Sequence, residues 1–299
     1  MSSQLPDNEL PGVWKDADAT SLRGQQMALM LTRAKVGGGV FAALGGVLSW
    51  HVGRLDLAAM MILIGFSTAL VSELTSWVHE PERAWYDGRA VAESAKTLAW
   101  RYSIGSDPFP VNMPRDDAEE VFRARMTEIT REIDDVVVFD AADRVITEQM
   151  DRLRNAPFVD RRAAYIEGRT LAQKVWYAQK ARYNRSRARL WRLFLILAEV
   201  AAVVLAFGRV FGQWHMDVAG LFASCIAAGA AWVAVKQFSP LASAYAVATK
   251  ELGIQASKLR SVDEDRWPLV AADAEEAISR EHTTWLASRT GRVSNRDSD

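Results

Sequence analysis

Cysteine is almost absent from this chain: its 299 residues hold one, Cys225. A single thiol excludes an internal disulfide and fits a reducing compartment. Histidine is scarce as well. His51, His79, His215 and His282 are scattered at no spacing that would assemble a metal site. Net charge is also missing, since 36 Lys and Arg against 37 Asp and Glu leave −1. That balance disfavours wholesale nucleic-acid binding, which usually calls for a basic domain. Gly37-Gly38-Gly39 is no phosphate loop, because it lacks the GK[ST] ending and a preceding strand. No Ser/His/Asp, Cys/His or paired-carboxylate pattern is present. The chain therefore reads as a non-enzyme, with no catalytic residue, cofactor or metal ligand assigned. The N-terminus carries Asp7 and Glu9 and lacks a basic start. It does not read as a signal peptide, and the first apolar run is expected to stay as an anchor.

What is present is segregation. The mean hydropathy of −0.06 suits a soluble protein, yet four apolar runs stand out: Val36–Trp50, Leu57–Ser72, Leu193–Gly208 and Val218–Val235. A bilayer core asks for about 20 helical residues. The first run is short and glycine-rich, the second reaches usable length through Val78, the third carries Glu199, and the fourth is uncharged throughout. Trp50, Trp77, Trp191, Trp214 and Trp232 fall near run ends, where an aromatic belt would place them. Each pair of runs is joined by a few residues, which predicts two helical hairpins in the membrane.

Charge sets the expected orientation. The short turns carry only Arg54 and Arg209, whereas the outer flanks carry Arg33 and Lys35, then Arg83, Arg89, Lys96 and Arg101, then Arg182, Arg185, Arg187, Arg189 and Arg192. The positive-inside rule then puts both termini and the long middle segment in the cytoplasm. The fold expected is all-α: a polytopic membrane protein with two parallel transmembrane hairpins and long cytoplasmic helical stalks. Its expected parts are an N-terminal cytoplasmic segment (1–35), a first hairpin (36–78), a cytoplasmic helical region (79–157), a second unit (158–289) with its hairpin at about 193–235, and a disordered tail (290–299).

Outside the runs, helical periodicity predicts helices at about Glu82–Tyr102, from Asp116 through Phe122, Met126, Ile129, Ile133 and Val137, at about Ala141–Arg154, at Phe238–Leu259 and at Pro268–Ser288. Neither Pro nor Gly interrupts the chain between Arg169 and Gly208, so a helix of about 70 Å over Val159–Phe207 is expected. Arg169, Trp176, Tyr183, Leu190 and Leu197 recur every seven residues along it. That spacing predicts a face packed through Trp176, Tyr183 and Leu190 against another helix, with Phe238–Leu259 as partner.

Candidate sites follow from placement. Glu199 is mid-span, where a charge costs about 2.5–3.5 kcal/mol. Two readings stay open for it: a pore-lining or proton-sensitive group, or a protonated carboxyl bonding helices together. Glu73, at the end of the second run, reads as an interface residue. Arg182, Arg185, Arg189 and Arg192 form one stripe just outside the third run. It would serve as a topology signal contacting headgroups or as a receptor for an anionic lipid or ligand. Gly220, Ser224 and Ala228 form a small-residue ridge of the kind that lets helices approach closely in lipid, as do Gly37–Gly39 with Gly45–Gly46.

A further set of residues carries a resemblance. It comprises Trp85-Tyr86, Arg89, Ala92-Glu93, Lys96, Trp100-Arg101-Tyr102, the run Ile146–Arg154, Tyr165-Ile166-Glu167-Gly168-Arg169, Gln173, Trp176-Tyr177, Lys180-Ala181, Asn184, Trp191, Glu281-His282 and Trp285. Over about residues 20–289 this pattern resembles the tandem SLATT family of bacterial two-span domains. The resemblance implies an effector of bacterial conflict systems, associated with nucleotide-synthesising SMODS enzymes and nucleotide-sensing SLOG domains and proposed to perforate the membrane. It implies the bacterial inner membrane as the site of action, with any nucleotide-synthesising or nucleotide-sensing function supplied by a partner. Four spans are too few to enclose a wide water path, so a homo-oligomer in the lipid bilayer is expected, and the charge balance predicts that no nucleic acid is bound. The alternative is a membrane-anchored helical scaffold that recruits a soluble partner. Glu199 is the feature best able to separate the two.

Overall fold

The computed structural model describes residues 5–131, 144–212 and 218–290. Its helices are α1 (Gly12–Val47), α2 (Leu57–His79), α3 (Pro81–Ile104), α4 (Arg115–Arg131), α5 (Glu148–Arg154), α6 (Phe158–Tyr165), α7 (Ala172–Phe211), α8 (Val218–Lys236), α9 (Phe238–Arg260) and α10 (Trp267–Thr290). A π-turn, Ile166–Leu171, joins α6 to α7 without a break, so one helix runs from Phe158 to Phe211. At 1.5 Å per residue its 54 residues reach about 80 Å.

Among the described residues, four helices are long and apolar enough to cross a membrane. The protein is an all-α, multi-pass membrane protein. The first apolar run proves to be the end of the 36-residue α1 rather than a short helix of its own. A two-stranded ribbon, His51–Val52 with Leu55–Asp56, follows it. Gly53 turns that ribbon at φ +62°, a conformation that side chains other than glycine rarely adopt. Asp56 then caps α2 by accepting the Ala59 N–H at 3.0 Å. The fifth helix starts later than its periodicity predicts: Thr147 caps it and Glu148 is its first residue. Ile133, Val137, Trp214 and residues 291–299 lie outside the described residues.

The chain divides into two compact units. One comprises residues 1–25, 82–178 and 246–299, the other residues 26–81 and 179–245. The first has an aromatic core: Trp100, Tyr102, Phe109, Phe122, Tyr165 and Trp267 are all at most 1 % exposed. Their rings meet edge to face, as in Tyr102–Phe122 at 5.3 Å and Tyr165–Trp267 at 5.9 Å. The buried face of α3 holds Trp85, Ala92, Ala95, Ala99 and Tyr102, at helical spacing. The second unit packs mainly through small residues. A Cβ on Gly38 would lie 2.6 Å from the Gly65 carbonyl oxygen, and one on Gly45 would lie 2.7 Å from that of Ala58. Backbones approach so closely there that only glycine fits.

Candidate functional site

In the second unit the two acidic candidates differ. Glu73 on α2 is ion-paired with Lys35 on α1, both side chains more than half exposed. Glu199 is exposed on α7, and among the described residues it makes no hydrogen bond or ion pair. The buried residue of that turn is its neighbour Ala198. Arg182, Arg185, Arg189 and Arg192 all lie exposed on α7, and among the described residues none has a hydrogen-bonded or ionic partner. Nearby, the Arg33 guanidinium stacks over Trp232 at 5.3 Å, and the Lys236 ammonium lies 5.6 Å from the same ring. Cations on α1 and α8 thus share one indole, as suits the boundary between apolar and polar surroundings.

The expected packing face of α7 needs correction. Trp176, Tyr183 and Leu190 are 37 %, 52 % and 54 % exposed. The buried heptad is one residue further on, at Thr170, Tyr177, Asn184 and Ala198, with Trp191 half-buried among them. On α8 Gly229 is buried, and its Cβ position lies 3.0 Å from Leu195 and 3.6 Å from Trp191 of α7. Gly220, Ser224 and Ala228 are only partly buried. Ser224 turns its hydroxyl inward along its own helix, donating to the Gly220 carbonyl at 3.1 Å.

Sequence reasoning missed the most built polar site, which lies in the first unit. Arg169, within the π-turn, donates from Nε and Nη2 to the two carboxylate oxygens of Glu275, each at 3.0 Å. Thr97 completes the cluster by donating to Glu275 at 3.0 Å. The Arg169 and Glu275 side chains are 2 % and 0 % exposed. A buried ion pair survives only when hydrogen bonds satisfy both members, and this fork provides them. A signal for it existed in the chain. Arg169 stands four residues after Tyr165, and Glu275 stands four after Ala271, so both charges occupy inward positions of apolar helical faces.

Two more buried arginines act as carbonyl clamps. Arg154 donates to the carbonyls of Tyr102 (3.1 Å), Phe109 (2.7 Å) and Pro110 (3.0 Å). Burial depresses its pKa, with the neighbouring Arg161 charge adding to that. Arg161 donates to the carbonyls of Ile104 (2.9 Å) and Ala156 (3.1 Å) and to Glu264 (2.7 Å). Each guanidinium fills the role that water would otherwise play for loop carbonyls. Tyr102 donates to Asp151 at 2.8 Å, and burial followed by that bond raises its phenol pKa.

A surface cavity of about 380 Å³ lies between Asn8, Glu9, Gly12 and Lys15 on one side and Arg144, Thr147, Glu148 and Arg152 on the other. Its charges are partly paired internally, Arg144 with Glu148 at 2.8 Å. Among the described residues no three His, Cys, Asp or Glu side chains converge as metal ligands would.

Two family models match the chain. SMODS and SLOG-associating 2TM effector domain 3 covers residues 11–162, and SMODS and SLOG-associating 2TM effector domain 1 covers residues 165–285. No curated protein and no solved structure matches it.

Proposed function

Because the chain belongs to the SMODS and SLOG-associating two-transmembrane effector domains and carries two of them in tandem, we propose that it is a non-enzymatic membrane effector. In this reading it assembles with copies of itself in the inner membrane of a bacterium and makes that membrane leaky as part of a conflict response. The observation that carries the proposal is the exposure of Glu199. A mid-span carboxylate with no partner among the described residues bears a cost of about 2.5–3.5 kcal/mol in lipid. A second copy, or water along an assembly axis, would remove that cost.

The two hairpins point the same way in this reading, with both termini cytoplasmic. The Arg33–Trp232 stack supports it, since it joins the start of the apolar run of α1 to the exit end of α8. The arginine stripe then lies against anionic headgroups, each such residue contributing about 1 kcal/mol. Control by a nucleotide would come through a synthesising or sensing partner.

The test is dye and ion release from liposomes carrying the full chain, alone and with its genomic neighbour. Leakage is expected, and Glu199→Gln should alter its ion selectivity or pH dependence while assembly persists. Absence of leakage under both conditions would overturn the reading. A membrane-anchored scaffold would then be the better account, favoured by the densely packed aromatic unit, which is built as a soluble domain is.

A further inference from the structure

We propose that the π-turn Ile166–Leu171 is a register switch that exchanges two faces of α7. A π-turn closes through i→i+5 bonds instead of i→i+4, so it holds one residue more than an α-turn. Were it to take α form with the upstream helix held in place, everything beyond would advance by one residue, about 100° of rotation. Each residue of α7 would then occupy the place its next neighbour holds now. Trp176 would take the place of Tyr177, Tyr183 that of Asn184, Leu190 that of Trp191 and Leu197 that of Ala198.

The sequence is prepared for that exchange. The present seam, Thr170, Tyr177, Asn184, Trp191 and Ala198, is mostly buried. The adjacent heptad, Trp176, Tyr183, Leu190 and Leu197, is the more apolar of the two and is exposed. Two complete heptads displaced by one residue, beside a turn that stores one residue, are the parts of a two-position device.

Thr170 supplies an independent indication. The helical hydroxyls of Thr32, Thr68, Thr75 and Thr127 each donate to the carbonyl four residues earlier, at 2.7–2.9 Å. Thr170 is fully buried, and its hydroxyl has no such bond. The π geometry displaces the carbonyl it would use. An α-turn would return that acceptor, so the present register leaves one polar group unmet that the other would satisfy. Gly168 tilts the balance toward the present form, since glycine disfavours the α-helix relative to alanine. In the present form a Cβ at Gly168 would lie 3.3 Å from the Trp100 ring. The Arg169–Glu275 fork, made from inside the turn, is the lock. The inference concerns one helix and holds whatever the spans conduct.

Maleimide labelling of the full chain in membranes tests it, using Tyr183→Cys and Asn184→Cys singly in a Cys225→Ser background. In the present register position 183 is exposed and 184 is 6 % exposed. Gly168→Ala crowds the π form and favours the α form. It should raise labelling at 184 several-fold and lower it at 183. Deleting Glu167, an exposed residue of the turn, removes the spare residue and should hold 184 protected and 183 reactive. Unchanged labelling in Gly168→Ala, or a rise at both positions together, would overturn the switch, because the second pattern signals melting. Protection of 183 in the Glu167 deletion would overturn it equally.

Discussion

The two units of this protein bury opposite kinds of residue. In the first, the interior holds Trp100, Tyr102, Phe109, Phe122, Trp267 and three arginines, while the outside is charged. In the second, buried positions include Ala42, Ala58, Gly65, Ser72, Ala198 and Gly229, and Leu63, Phe66, Val203 and Phe207 are 63–68 % exposed. The contrast teaches that the units answer to different solvents. Where water surrounds the helices, apolar area removed from it drives packing at about 25 cal/mol per Å². Lipid offers no such gain, so helices associate where small residues let backbones touch.

Four expected outcomes sharpen or break that contrast, the largest first. Glu275→Ala leaves the Arg169 guanidinium buried and unpaired, and should cost about 3–5 kcal/mol. Thermal unfolding in detergent measures it, and a loss below 1 kcal/mol would mean the fork is not sealed from water. Gly65→Val comes next. Its Cβ would sit 2.5 Å from the Gly38 oxygen and 2.7 Å from the Ala42 nitrogen, forcing α1 from α2 at a cost of about 1–3 kcal/mol. Leu63→Ala, on the exposed side of the same helix, should be nearly neutral in the same assay. If Leu63→Ala proves the more damaging change, the second unit is packed as a water-soluble one.

Tyr102→Phe removes a hydrogen bond to a carboxylate and should cost about 1.5 kcal/mol near neutral pH. Because the folded phenol pKa is raised above the unfolded value of about 10, this stabilisation is complete below pH 10 and lost as pH rises beyond it. Denaturant titrations at pH 8 and pH 11 should therefore show a steeper alkaline loss for the parent than for the phenylalanine variant. Among the changes expected to destabilise, the smallest effect is at Lys35–Glu73. Both partners are more than half exposed, so Glu73→Ala should change stability by at most about 1 kcal/mol. A larger loss would place that pair out of contact with water.

The helices were legible because their signals are local. The helix Glu82–Tyr102 showed in its period, and the continuity of α7 into its apolar run showed in the absence of proline and glycine between Arg169 and Gly208. The phase of α7 was not legible. Large apolar residues every seven positions, Trp176, Tyr183 and Leu190, outweighed the smaller seam beside them, Tyr177, Asn184 and Ala198. Glu275 was hidden for another reason: its partner lies 106 residues away in sequence.

The sequence by itself determined that four runs are apolar enough to cross a membrane and that their flanks carry the charge, because hydropathy over about 20 residues depends on neighbours along the chain. It also carried the two-domain family pattern. Only the tertiary structure decided which face of each helix is inward, that Gly38 meets Gly65, that Arg169 closes on Glu275, and that one residue is held in a π-turn. Those depend on where the chain returns in space, and a periodic pattern states the spacing of a face but not its phase.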